Sequence, residues 1–387
     1  MSKVKKYNIF YFLAALGNGG LVVSFFMYLL FMVKHPKNPI PIFDDIYNAF
    51  NNSSIYISGL IVIAMLGIIY FTIKHFSVLA WNIREYLKFK KTDEYKIMKT
   101  TNAEINLMMI PLTLAMSVNV LFILGALFIP DLWTYVEYLF PFSLLAFGII
   151  GIYALKIFIT YLTRIIVAGT FDFTTNNNLN QLMSSFTFAM IAVGFAASAA
   201  MSETLVTSAI GMFGAILFMT IAVLFLLIGL VLGFKSIFKH GISKEGPPSL
   251  LILIPIGTIF GITLVRLISG ISHNLLHIEP SPVIMFVVLS IIISLQIVIA
   301  IIGYIVLKKT KYFEDYVNGK TDNASSYSLI CPGVALFVLG MFFIHWGLVK
   351  TDIIDIFSIA YFIIIAPFVL VQIKTILLIA KLNKKLM

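Results

Sequence analysis

Arg266 stands alone in an apolar stretch that begins SLLILIPIGTIFG at Ser249, with no Asp or Glu one turn away on either side. A guanidinium at membrane depth is costly unless it faces protein or a watery cavity. Two roles fit it: reaching a nearby carbonyl or the outer face, or drawing anions toward a path. A second unusual point is Cys331-Pro332-Gly333, near the start of YSLICPGVALFVLGMFFIHW, Tyr327 to Trp346. Proline removes a backbone donor and crowds the carbonyl one turn back, which predicts a kink with unpaired oxygens. Such oxygens are tolerated in hydrocarbon only against protein or beside water. Pro111 in INLMMIPLTLA and Pro255 in LLILIPIG repeat the break. Each proline falls about two turns into its stretch. The repetition predicts one unit, used several times, around a polar path.

Cys331 is either a small buried hydrophobe, as free cysteines often are, or the side chain that the Pro332 kink turns toward the path. Phe337 and Phe186 are the aromatic bulk available to close it. Asn18, Asn119 and Ser185 add small polar groups within apolar stretches. The remaining chemistry-bearing residues point nowhere in particular. His273 and His277 form HNLLH, an i,i+4 pair without the glutamate of H-E-x-x-H, and read as an interfacial pair rather than a metal site. His75 and His345 lie near opposite faces. Lys74, Lys156 and Lys374 lie within about two turns of one side, where their stems can snorkel. No nucleophile elbow or phosphate-binding glycine loop occurs, so no catalytic residue is assigned and no cofactor is called for. The single cysteine excludes a disulfide within the chain.

The elements that must carry these residues follow from composition. Of 387 residues, 60% are hydrophobic and only 11% are charged, with a mean hydropathy of +1.02. A soluble domain carries about a quarter charged residues. The chain is therefore expected to be an all-α polytopic membrane protein forming a single transmembrane domain. Stretches of about 20 apolar residues give ten spans: 9–33, 55–80, 105–128, 138–163, 182–202, 207–234, 249–271, 283–307, 327–348 and 354–380. The net charge of +10 lies in the loops rather than in one stripe, so it argues for topology and against nucleic acid. Lys3, Lys5 and Lys6, then Arg84 to Lys99, Arg164, Lys235 to Lys244, Lys308 to Lys320 and Lys381 to Lys385 fall on one side. The other side holds mainly Asp44, Asp131, Glu203, Glu279 and Asp352. Basic loops stay inside, which places both termini in the cytoplasm of a cell-membrane protein. Odd-numbered spans collect the Pro, Gly, Ser, Thr and Asn, while even spans are richer in Ile, Leu and Phe. Five helical hairpins are expected, with odd helices lining a central pore and even helices outside.

The chain resembles the tellurite-resistance/dicarboxylate transporters, which include bacterial homologues of plant guard-cell slow anion channels. The likeness runs through WNIREYLKFKK to NLMMIPLT, RIIVAGTFDF to SSFTFAMIAVGFAAS, and YFEDYVNGK to YSLICPGVAL, over nearly the whole ten-span plan. It implies a homotrimer with a pore through each protomer that moves small inorganic or organic anions across the bilayer. The family's pore is closed by a ninth-span phenylalanine just before a Pro or Gly; the matching place here is Cys331 or Pro332. The alternative within the resemblance is a proton-coupled carrier of C4-dicarboxylates, sulfite or tellurite-type anions. Such a carrier needs a titratable group mid-membrane, and no Asp or Glu lies in the middle of an odd span.

Overall fold

A computed structural model describes residues 6–387; Lys3 and Lys5 lie outside the described residues. All regular structure described is helical. Ten helices are long and apolar enough to cross a membrane: Tyr11–Met32, Ile55–Phe89, Asn102–Phe128, Leu132–Ala168, Asn180–Met201, Leu205–His240, Pro247–Leu276, Pro282–Lys309, Ala324–Val349 and Ile359–Leu386. They are called the first to tenth spans below. The even helices outrun the apolar stretches that announce them. The second continues through Arg84 and Lys88 to Phe89, and the tenth through Lys381 to Leu386. Counting apolar residues stops at the first charges, whereas a helix that has left hydrocarbon is free to go on.

Parity governs burial. The odd spans are 67–100% buried within the chain across their apolar windows, and the even spans 22–28%. Each odd helix packs against the next odd helix, and the ninth returns to the first. Four of these five contacts are tied by a side chain reaching a carbonyl of the neighbour. The Thr113 hydroxyl lies between Met109 O (2.8 Å) and Phe12 O (3.2 Å). The Thr187 hydroxyl lies between Met183 O (2.8 Å) and Met108 O (2.9 Å). Arg266 Nη1 donates to Val193 O at 2.9 Å, and Thr258 donates to Ala335 O at 2.8 Å. The fifth contact uses close approach instead, with Gly17 against Ile330 and Gly20 against Val334. Lipid gives helices no hydrophobic reason to associate, so polar ties and small residues hold them together.

The prolines do not break α-helices as the sequence suggests. The third, seventh and ninth spans each open on a 3₁₀ segment: Asn102–Met108, Pro247–Ile252 and Ala324–Leu329. The α-helix then starts at Met109, Leu253 or Ile330, so Pro111, Pro255 and Pro332 are each its third residue. In a first turn the missing N–H removes no α-helical bond and the fixed φ suits the start of a helix. The fifth span has the same plan without proline: 3₁₀ over Asn180–Leu182, α from Met183, and Ser185 in third place. The first span also enters by i→i−3 bonds, from Tyr11, Phe12 and Leu13 to Asn8, Ile9 and Phe10. Repetition is present, and the unit is a 3₁₀-to-α changeover rather than a kink.

One ion cluster seats the start of the third span. Glu104 is 1% exposed and faces Arg164, whose Nε donates to Oε2 at 2.9 Å, with Lys99 on the other oxygen. Arg164 also donates to Thr100 O and Thr101 O at 3.1 and 2.9 Å. The loop before the third span is thereby locked to the end of the fourth.

Candidate transport path

A cavity of about 170 Å³ lies inside the ring and takes residues from all five odd spans. One water molecule needs roughly 15 Å³ on this measure, so the space suits a small solvated solute. Leu16, Gly17 and Gly20 come from the first span, Met116 and Asn119 from the third, and Phe186 and Met190 from the fifth. Pro255, Thr258 and Arg266 come from the seventh, and Cys331, Val334 and Ala335 from the ninth. Ile40, from the loop after the first span, also reaches the lining. A larger hollow of about 810 Å³ sits between the first, second and tenth spans, bordered by the exposed Tyr56, Ile63 and Phe362. It lies to one side of the ring and faces the surroundings.

Among the residues singled out from sequence, Asn119, Phe186, Pro255, Arg266 and Cys331 come together on the central cavity. The others turn elsewhere. Asn18 Nδ2 donates to Ala14 O of its own helix at 2.7 Å, and Ser185 donates to Ala222 O of the sixth span at 2.8 Å. Gly333 faces Thr375 of the tenth span. Phe337 has no exposure and packs on Tyr28, ring centroids 5.4 Å apart. Pro111 and Pro332 are buried in their helix starts. Of the two aromatics singled out, Phe186 is the one on the cavity wall, beside Phe26, Phe122, Phe147 and Phe342, and it stands one residue past the fifth span's counterpart of the prolines.

Arg266 dominates the electrostatics of the lining. Its hydrogen bond to Val193 O uses one of five guanidinium donors. No carboxylate pairs with it among the described residues. A cation held in a low-dielectric wall without an anion is an attraction waiting for one. Asn119 adds little competition, its amide resting 3.7 Å from Met190 Sδ. Beyond the end of the ninth span, Lys350 lies over the Trp346 ring at 4.1 Å. Burial lowers its pKa, and Glu279 opposes that shift.

His273 and His277 do not share a helix face. The seventh span ends in a π turn, Ser272–Leu276, and His277 follows at φ 53° in the left-handed region. Asn274, between them, does more: its amide donates to Ser202 O at 3.1 Å and Ser208 Oγ at 2.8 Å, closing the fifth-to-sixth turn.

Several buried polar residues stand on even spans, outside the odd-span pattern that the sequence displays. His75 is fully buried, with Nδ1 2.7 Å from Ala15 O and Nε2 2.8 Å from Ser117 Oγ. Gln296 donates to Ile254 O and Thr258 Oγ1 at 2.8 and 2.7 Å. Gln372 donates to Ser24 at 2.9 Å and accepts from Tyr28 at 2.6 Å. A usable signal exists in the second span, where buried positions 61, 64, 68, 71, 75, 78 and 82 recur every three or four residues. That seam includes His75 and Asn82. No family model matches the chain, and no curated protein matches it.

Proposed function

We propose that the chain moves small anions across the membrane through the centre of its ring of odd helices. In this reading the five odd–even pairs are hairpins, the even helices face lipid, and the termini are cytoplasmic. The resemblance to the tellurite-resistance/dicarboxylate transporters, with its homotrimer, belongs to the same proposal. The observation that carries it is the central cavity, lined from every odd span and holding one guanidinium with no carboxylate partner among the described residues. Apolar walls with a single fixed charge favour binding weak enough to release.

Flux of chloride or nitrate into proteoliposomes tests it. Arg266→Ala is expected to lower flux by roughly tenfold, one lost charge-assisted contact, and Arg266→Lys to retain part of it. If Arg266→Ala alters yield and leaves flux per folded protein intact, the guanidinium is only a tie to Val193. Cys331, the sole cysteine, supplies a second arm. A small water-soluble thiol reagent is expected to reduce flux, Cys331→Ser to remove the sensitivity, and Cys331→Phe to depress flux by narrowing the cavity.

A further inference from the structure

His75 lies directly behind the cavity wall. A methyl group placed on Gly19 would stand 2.6 Å from Met116 Cγ and 2.8 Å from His75 Nδ1. Met116 lines the cavity, so ring and wall both close on Gly19 and leave no room for a methyl between them. The hydrogen bonds around the ring have an unusual property. Ala15 O can only accept, so Nδ1 carries a proton. On the other side, Nε2 meets Ser117 Oγ, which itself lies 3.0 Å from Thr113 O. With the ring neutral, the Ser117 hydroxyl turns to donate to Nε2. With the ring charged, Nε2–H donates to Ser117, and Ser117 donates to Thr113 O. Every group is satisfied in both states, and rotation of one hydroxyl converts them. A histidine kept only to fill a core needs partners for the neutral form alone.

No carboxylate among the described residues is positioned to balance a charge here. From the first span, the titratable groups are Tyr11 and Tyr28, and the third span has none between Met109 and Phe128. On the second span itself, Lys74 is exposed and lies over Tyr70, and Phe76 meets the ring edge-on at 4.9 Å. A charge in such surroundings is costly unless an opposite one comes near. The nearest space that can admit one is the cavity.

We infer that His75 links proton binding to anion occupancy, so that each favours the other and the anion path is opened by acid. The inference rests on the proposed anion path. It supplies, from an even span, a titratable group beside the path, where the odd spans carry no Asp or Glu in their middle, and coupling of this kind is reciprocal.

The test is nitrate uptake into proteoliposomes between about pH 8 and about pH 5.5, the range where an imidazole changes charge, with proton movement followed by a pH electrode. Wild-type flux is expected to rise by roughly fivefold or more as pH falls, with protons entering alongside nitrate. His75→Gln keeps a donor for Ala15 O and takes no proton, so it is expected to carry nitrate with a flat profile and without proton entry. The wild-type profile surviving in His75→Gln overturns the inference, as does pH-independent wild-type flux. If His75→Gln does not fold, Ser117→Ala decides: loss of the acceptor for the charged ring is expected to move the midpoint down by about one pH unit, and an unmoved midpoint overturns the inference. Absence of nitrate and chloride flux in the wild type at every pH is a different result, and it sinks the anion path along with the coupling.

Discussion

The fifth and sixth spans are neighbours in sequence and pack together along their length, yet they solve opposite problems. The fifth has the lowest mean hydropathy of the ten, 1.7, and is wholly buried; the sixth reaches 3.0 and is 22% buried. In water the more apolar helix would be the one inside. In lipid the hydrocarbon tails already satisfy apolar surface, so burial selects what lipid handles badly: hydroxyls, amides and bare backbone. The fifth span accordingly spends Ser185 on Ala222 O and Thr187 on Met108 O. Gly211 and Gly214 are where the sixth approaches the fifth, at Ala199 and Phe195. The sixth turns Phe213, Leu224, Leu227 and Val231 outward.

Four substitutions test that contrast. The largest effect is expected where a polar group would be stranded. Arg164→Met leaves the buried Glu104 with Lys99 alone, and should cost about 3 kcal/mol, read as lost thermal stability in detergent. Full stability in that variant would mean that Lys99 suffices. Next comes close packing of an odd helix. Gly270 faces the Ala199 backbone, which cannot step aside as a side chain can, so Gly270→Val should cost about 2 kcal/mol. Its matched control is Gly148→Val on the fourth span, where an added Cβ meets nothing within 4 Å; there the change should stay within about 0.5 kcal/mol. Equal costs at Gly270 and Gly148 would erase the distinction between the two sets of helices. The smallest measurable effect is expected at one inter-helix tie. Thr258→Val removes the bond to Ala335 O and one partner of Gln296, for about 0.6 kcal/mol.

Span number was legible because charge and apolar length act along the chain, residue by residue. Arg84 to Lys99, for instance, ends one apolar stretch and precedes the next without help from tertiary structure. The odd–even division of small and polar residues was legible for the same reason. The local meaning of Pro111, Pro255 and Pro332 was not, because a proline starting an α-helix after a 3₁₀ turn looks in sequence like one interrupting it. Orientation about the helix axis was harder still. Cys331, Pro332 and Gly333 are consecutive, and only Cys331 meets the cavity while Gly333 faces the tenth span. Phe337 and Phe186 are both aromatics of odd spans, and just one is on the wall. The contacts of His75 were hidden for a different reason: its seam runs along an even span, whose other faces are exposed and apolar.

The ring's closing contact has a consequence for how the chain is made. The first span leaves the ribosome long before its partners, Ile330 and Val334 of the ninth span and Gln372 of the tenth. Until they arrive, its small-residue face has no cover from that side. Two of its polar side chains are nevertheless cared for: Asn18 donates to Ala14 O, and Ser24 donates to Leu21 O, both on the same helix. A side chain satisfied by its own helix backbone can wait in hydrocarbon without a partner. The first span is therefore partly equipped to sit in hydrocarbon until the ninth and tenth enclose it.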